Sequence, residues 1–348
     1  MSKPILGIIG GGQLGSMLAI AANKLEIKTV IFCNDIDAPA QNFSNDFVHG
    51  EYNDKNKINE FLSKVDVVTY EFENIPYETL NEINKIKPVL PKPSVNRIIQ
   101  HRLAEKDFIN NLNIRTTRYV SIEKKSDMES VEDLLPGILK TTTLGYDGKG
   151  QHPINSLENL DSIDVDYSKG YILEKLVKLK KEISIIITRF DIQKYEIYEP
   201  IENEHEDQIL RNSKIPAEIS DKILEQSKLW ATTIAEELKY VGTLCVEFFI
   251  DRNDNLYVNE IAPRVHNSGH LTINAYNVSQ FENHVRAVCK LEQIPLKKIS
   301  NAMMTNIIGD QITNYRNKEH NENEFFFDYL KKEIKQKRKM GHLTTLLK

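Results

Sequence analysis

The first fifteen residues restrict the fold more than any other stretch of the chain. Ile5-Leu6-Gly7-Ile8-Ile9 is an unbroken apolar run that reads as a buried strand. Gly10-Gly11-Gly12-Gln13-Leu14-Gly15 follows at once, and Leu14, Leu18, Ala21, Ala22 and Leu25 then recur at helical spacing. Strand, glycine turn and helix make a βα unit. The pattern continues with a strand at Thr29–Phe32, a helix at Ile58–Leu62, a strand at Val65–Thr69 and a helix at Thr79–Ile86. Alternation of this kind predicts an α/β domain built on a parallel sheet. The glycines satisfy G-x-G-x-x-G, with Asp35 and Asp37 near the end of the second strand, which is the dinucleotide fingerprint. Physically the motif specifies only an anion approached by backbone amides at a helix N-terminus. A redox cofactor, a mononucleotide or phosphosugar, and mere close packing all remain open.

Pro88, Pro91 and Pro93 interrupt the alternation and mark a first boundary, after which Ser94–Leu112 reads as one helix. A strand at Gly137–Lys140 enters a second glycine loop, Thr141-Thr142-Thr143-Leu144-Gly145-Tyr146-Asp147-Gly148-Lys149-Gly150-Gln151. No G-x-x-x-x-G-K-[ST] occurs, so this is not a Walker loop. It suits a lid whose amides close over polyphosphate, the alternative being a long hairpin turn. Further strands are expected at Tyr171–Glu174 and Ile183–Thr188, and a long amphipathic helix at Ser220–Leu238. A small C-terminal unit follows Pro295, with Phe325-Phe326-Phe327 and the basic cluster Lys331, Lys332, Lys335, Lys337, Arg338 and Lys339. For 348 residues, two or three subdomains are expected. We divide the chain at 1–95, 96–290 (with a lid at roughly 115–175) and 291–348.

Leu244-Cys245-Val246-Glu247-Phe248-Phe249-Ile250 and Val258-Asn259-Glu260-Ile261-Ala262 flank turn chemistry at Asp251-Arg252-Asn253-Asp254-Asn255, so a β-hairpin is predicted. With Asn253 and Asp254 as a two-residue turn, Glu247 falls opposite Glu260; a loop one residue longer makes them diagonal. Facing carboxylates repel across a ladder unless a hard divalent cation bridges them. Two solvent-facing glutamates on an edge hairpin are the alternative. Arg264, His266, Asn267 and His270 crowd immediately behind and favour the metal.

A net charge of −5 with scattered basic residues argues against nucleic-acid binding. No stretch approaches the roughly 20 apolar residues of a membrane span, and the apolar start is too short for a signal peptide. Three cysteines without metal spacing predict a reduced, cytoplasmic protein.

Taken together, the second glycine loop, the hairpin and the 264–270 run resemble the ATP-grasp superfamily, and within it the N5-carboxyaminoimidazole ribonucleotide synthase family. Tyr70-Glu71-Phe72-Glu73-Asn74-Ile75-Pro76 and Arg338-Lys339-Met340-Gly341-His342-Leu343 resemble that family's N-terminal and C-terminal motifs, in family order along the chain. The resemblance implies an ATP-grasp fold with an N-terminal Rossmann-like preATP-grasp domain that holds a phosphoribosyl substrate and no NAD. It implies a carbon–nitrogen ligase of purine biosynthesis, in which ATP and bicarbonate form carboxyphosphate and the amine of aminoimidazole ribonucleotide is carboxylated. Carried over, Arg102 and Lys140 would meet the ATP phosphates beneath a lid of Gly145, Tyr146, Asp147, Gly148, Lys149, Gly150 and Gln151. Glu174, Lys175, Leu176 and Val177 would line the adenine, Glu182 the ribose, His205 the border, and Asn259 with Glu260 the metal end. Glu247 and Glu260 would hold Mg2+. Arg264 would bind bicarbonate and the transferring phosphoryl group, with His266, Asn267, Ser268 and His270 orienting the carboxyl donor.

For the substrate, the resemblance implies Arg338 and Lys339 on the phosphate with Gln13, Leu14 and the glycine-turn amides, and Glu73 and Tyr146 near the imidazole and ribose. Lys339 would also serve catalysis, and Glu71 or Glu73 could act as a general base. A homodimer, functionally coupled to the carboxyaminoimidazole ribonucleotide mutase, is expected. Leu144 departs from a common glycine and Ala262 from a common metal-binding asparagine of the superfamily. A formate-dependent glycinamide ribonucleotide transformylase or a biotin carboxylase would share the ATP machinery. An NAD-dependent oxidoreductase explains only the first glycine loop and Asp35, and a regulatory protein that has lost catalysis is a third alternative.

Overall fold

The computed structural model describes residues 3–143, 150–158 and 165–347. The N-terminal unit matches the predicted alternation: β1 (Leu6–Ile9), α1 (Gln13–Lys24), β2 (Thr29–Cys33), β3 (Asp46–His49), α2 (Lys55–Leu62), β4 (Val67–Tyr70) and α3 (Tyr77–Asn84). Its four strands are all parallel in the order β3-β2-β1-β4. The short β3, exposed at Asp46 and His49, gave no apolar alternation and was not predicted.

The single helix expected over 94–112 is two, α4 (Pro93–Ile99) and α5 (Arg102–Asn111). The chain breaks where the Gln100 side chain donates to the carbonyls of Glu73 (2.8 Å) and Ile75 (2.7 Å). His101 turns extended, and its ring accepts the Ala104 amide as a new N-cap.

β5 (Tyr119–Ile122), β6 (Gly137–Thr141), β7 (Gln151–Ile154) and β8 (Tyr171–Lys175) form an antiparallel sheet in the order β5-β8-β6-β7. The largest sheet begins with β9 (Leu179–Asp191), β10 (Lys194–Ile197), β11 (Ile201–Glu206) and β12 (Ile209–Ile215). After α6 (Asp221–Glu237), β13 (Gly242–Asp251) and β14 (Leu256–Ala262) form its edge hairpin. The short α7 (Thr272–Ala275) and α8 (Gln280–Val288) follow. β15 (Asn301–Ile308), α9 (Gln311–Arg316), β16 (Glu324–Asp328) and β17 (Lys339–Leu347) complete the chain. The C-terminal strands extend this nine-stranded sheet through the β12–β15 pairing rather than building one of their own.

Strand parity places the site. Leu244, Val246, Phe248 and Ile250 of β13 and Ile183, Ile185 and Ile187 of β9 pack on Trp230, Ala231 and Ile234 of α6. Cys245 and Ile186 belong to the core on the opposite face, so Glu247 points away from α6. The N-terminal unit is clamped on by α8, whose Phe281, Val285 and Val288 share a core with Met17 and Leu18 of α1. Buried His284 accepts the Thr243 amide at Nδ1 (3.0 Å), so its Nε2 carries the proton and donates to Thr69 Oγ1 at 2.8 Å.

Candidate active site

Glu247 and Glu260 are direct partners across the β13–β14 ladder, although the turn differs from expectation. Ile250 pairs with Leu256 and the Asp251 amide donates to the Asn255 carbonyl at 3.0 Å, leaving a three-residue loop with Asp254 at φ 59°. That extra residue would slide the glutamates apart. A bulge at Asn259, where the register shifts between Glu247 and Phe248, restores the pairing.

The His266 Nε2, 2.9 Å from Glu247, outweighs burial and holds that carboxyl well below its usual range. Burial and the facing charge of Glu247 push Glu260 upward, with Arg102 Nη1 at 3.6 Å as partial relief. Glu260 keeps 44% of its side-chain surface open. One carboxylate held ionised and a second strained beside it, both oxygen donors, fit a hard divalent cation. Cys245, Glu247 and His266 also place one donor atom each within 4.8 Å of one another.

α5 ties the hairpin to the antiparallel sheet. Arg102 and Lys106 share a helix face at i and i+4. Between them Glu105 accepts the Ile261 amide at 2.6 Å and is pushed up to about 8, first by burial and then by the Glu260 charge. Lys106 Nζ lies 3.3 Å and Lys140 Nζ 3.1 Å from one oxygen of Glu174, which also accepts from Thr117 at 3.0 Å. Burial works against this carboxylate, but the two lysines hold it at about 2. Glu174 is thus the anionic hub beneath Lys140, while Leu176 stands exposed at the rim and Lys175 Nζ reaches the Asp133 carbonyl at 2.8 Å. Neither Lys106 nor Glu105 was anticipated. The i, i+4 spacing from Arg102 was the available signal for Lys106; nothing local marked Glu105.

Glu182 and His205 meet across adjacent strands, with Nδ1 2.9 Å from Oε2. Burial would lower His205, but the Glu182 contact raises it. Of the predicted lid, Gly150 and Gln151 are placed, the latter opening β7, whereas Gly145, Tyr146, Asp147, Gly148 and Lys149 lie outside the described residues.

Beyond β14, Arg264 grips Glu73 through Nε and through Nη2 (2.8 Å to Oε1), a two-pronged ion pair between the N-terminal unit and the hairpin. His266 continues inward: its Nδ1 lies 2.9 Å from Ser268 Oγ, which lies 2.8 Å from Ser184 Oγ. Asn267 is committed to a reciprocal amide pair with Asn306 at 3.1 and 2.6 Å. His270 is fully enclosed against Phe281, Tyr329 and His342, with no hydrogen-bond partner at either nitrogen among the described residues. It faces core, not cleft, and burial with the neighbouring His342 holds it well below the usual imidazole range.

Lys339 enters from β17, and its charge acts on both His205 and His270. Arg338 stands beside it at the end of an irregular segment. The glycine turn differs from expectation, because two of its amides already hold a protein carboxylate: Gly12 donates to Glu71 Oε1 at 2.8 Å and Gly15 to Oε2 at 3.3 Å. Gln13 and Leu14 lie between them at the start of α1.

Comparison with known proteins agrees with this arrangement. A ribonucleotide synthetase preATP-grasp domain matches residues 2–100, an ATP-grasp domain residues 107–281, and a phosphoribosylaminoimidazole carboxylase C-terminal domain residues 302–348. Fold and site together define an ATP-grasp ligase. The chain is 37% identical over 347 residues to the N5-carboxyaminoimidazole ribonucleotide synthase of Staphylococcus aureus strain MRSA252, an alignment covering 98% of this chain and 92% of that one. It is 37% identical over 346 residues to the Brucella melitensis synthase, covering 98% and 96%. The ADP complex of the Staphylococcus aureus synthetase superposes with a TM-score of 0.91 at 34% identity, covering 99% of this chain and 93% of that one. An Aspergillus clavatus synthase bound to ADP and 5-aminoimidazole ribonucleotide superposes at 0.90 with 27% identity, covering 99% and 94%. The chain belongs to the N5-carboxyaminoimidazole ribonucleotide synthase family.

Proposed function

We propose that the protein uses ATP and bicarbonate to carboxylate the exocyclic amine of 5-aminoimidazole ribonucleotide. The observation that carries this reading is the convergence of Lys140, Arg102, the Glu247–Glu260 pair and Arg264 along one cleft, in a chain whose relatives bear that activity's name.

Arg102 and Lys140 neutralise the polyphosphate as charge moves toward the β-phosphate side. Glu247 and Glu260 would hold Mg2+, which supplies charge neutralisation to the phosphates when bound. A bicarbonate oxygen attacks the γ-phosphorus and the bond to the ADP oxygen breaks, giving carboxyphosphate. The substrate amine then attacks the carboxyl carbon, phosphate leaves, and the amine proton passes to a base. Arg264 presents two N–H groups in a plane that matches a carboxylate, as its pairing with Glu73 shows. Bicarbonate has the same shape, but Glu73 takes the Nε–Nη2 side and the Val265 carbonyl accepts from Nη1 at 3.1 Å, so Arg264 would hold the carboxyl donor through the remaining N–H of each terminal nitrogen, with His266 oriented beside it. Lys339 and Arg338 supply cations for the substrate phosphate.

Phosphate release with magnesium-ATP, with and without bicarbonate and aminoimidazole ribonucleotide, tests the reading. Release that requires bicarbonate and is stimulated by the ribonucleotide is expected. Consumption of ATP only with a different acid or amine overturns the substrate and leaves the fold intact.

A further inference from the structure

The carboxylate in the glycine turn is placed there by the sheet register. β1 and β4 are parallel neighbours with Ile9 opposite Tyr70, so the next residues, Gly10 and Glu71, leave the sheet side by side. Glu71 is 8% exposed and turns its side chain under the start of α1. The fingerprint glycines make room for it. A Cβ at Gly10, where φ is +100°, would lie 2.7 Å from Glu71 Cγ, and one at Gly12 would lie 3.0 Å from Oε1. In a dinucleotide site these glycines admit a pyrophosphate; here they admit a side chain.

We propose that Glu71 is a positioning and specificity residue for the phosphoribosyl substrate. Its carboxylate fills the Gly12 and Gly15 amides, leaves those of Gln13 and Leu14 for a single phosphate, and sets Glu73 onto Arg264. The carboxylate occupies the two amides that a second phosphate of a pyrophosphate would need, while a monophosphate held from one side by the Gln13 and Leu14 amides would draw its balancing charge from Arg338 and Lys339. Two residues on, the same anchored segment delivers Glu73 to the guanidinium that holds the carboxyl donor, so substrate loop and donor site move as one piece. Burial pushes Glu71 upward, and the Gly12 and Gly15 amides with the Arg264 charge work against that to favour its carboxylate form.

This inference rests on the reading above that the substrate is a phosphoribosyl amine, and the test separates the two. Glu71→Gln and Glu71→Ala are assayed for KM toward aminoimidazole ribonucleotide and toward ATP. Pyrophosphate binding is followed by thermal shift with ADP saturating the nucleotide site. The ribonucleotide KM should rise about tenfold while the ATP KM changes less than about twofold, as expected for loss of one charge-assisted anchor. Glu71→Ala should also gain a saturable pyrophosphate shift that the unaltered protein lacks. Equal rises in both KM values, an unchanged ribonucleotide KM, or failure of both variants to fold would make Glu71 a structural cap only and overturn the proposal. If the unaltered protein ignores the ribonucleotide, the substrate reading fails, and the pyrophosphate arm still decides whether Glu71 guards the turn.

Discussion

The Arg264 guanidinium lies on the Glu73 carboxylate with two of its N–H groups, joining residues 191 apart in sequence. The loop after the β13–β14 hairpin is thereby fastened to the loop after β4. Burial would raise Glu73, yet the Arg264 charge holds it below its usual range.

Glu73→Gln removes the nearest counter-charge of that guanidinium and leaves it the more distant Glu71. A stability loss of about 3 kcal/mol is expected, the low end for breaking a buried pair because both groups keep some exposure. Urea unfolding of the two proteins measures it; a difference within error would show the pair to be dispensable.

The Glu174 cluster predicts an acid-dependent term. Its folded-state pKa, about 2, lies below the ordinary 4.5, so its stabilisation is present above the unfolded value and fades as pH falls toward 2. Lys106 runs the other way, since burial lowers it despite Glu174, so the cluster as a whole stabilises less than Glu174 alone suggests. The stability gap between the unaltered protein and Glu174→Gln should therefore narrow as pH falls from 4.5 toward about 2. A gap independent of pH would contradict the ion cluster.

Glu260→Gln removes one of the two facing carboxylates while keeping the hairpin. Magnesium-dependent ATP turnover should fall on the order of a hundredfold or more, matching the several kcal/mol such a cation supplies. Turnover equal to that of the unaltered protein would remove the metal from this pair.

Lys339→Ala should raise the KM for the phosphoribosyl substrate well above any change in the KM for ATP, by about tenfold for one lost phosphate contact. Equal effects on both substrates would place Lys339 elsewhere in the reaction.

With Glu71 lying in the glycine turn, NAD+ and NADH should produce no thermal shift. A saturable shift would mean that the turn can exchange its own carboxylate for a pyrophosphate.

Much of this was legible in the chain because strands alternate and helices repeat. The parity of Glu247 against Leu244, Val246 and Phe248 is readable from a run of seven residues. Its pairing with Glu260 was reached from a two-residue turn, and it holds only because the longer loop and the Asn259 bulge cancel. Contacts set by register between distant segments were not legible. Glu71 reached the glycine turn through β1–β4 pairing, Lys106 met Glu174 across two units, and His270 proved to be core. A polar motif shows which chemistry is present, while burial decides which of its members meets the cleft.

The Asn259 bulge divides the hairpin ladder into two registers. Asp251–Asn255 belongs to the distal half and Glu247 with Glu260 to the proximal one. A change in the tip would first meet the Lys180–Asp254 ion pair at 2.6 Å and the Arg252 amide on the Lys178 carbonyl, and the bulge stands between it and the carboxylates. The tip is therefore the part of the hairpin where an attached group would disturb the Glu247–Glu260 pairing least.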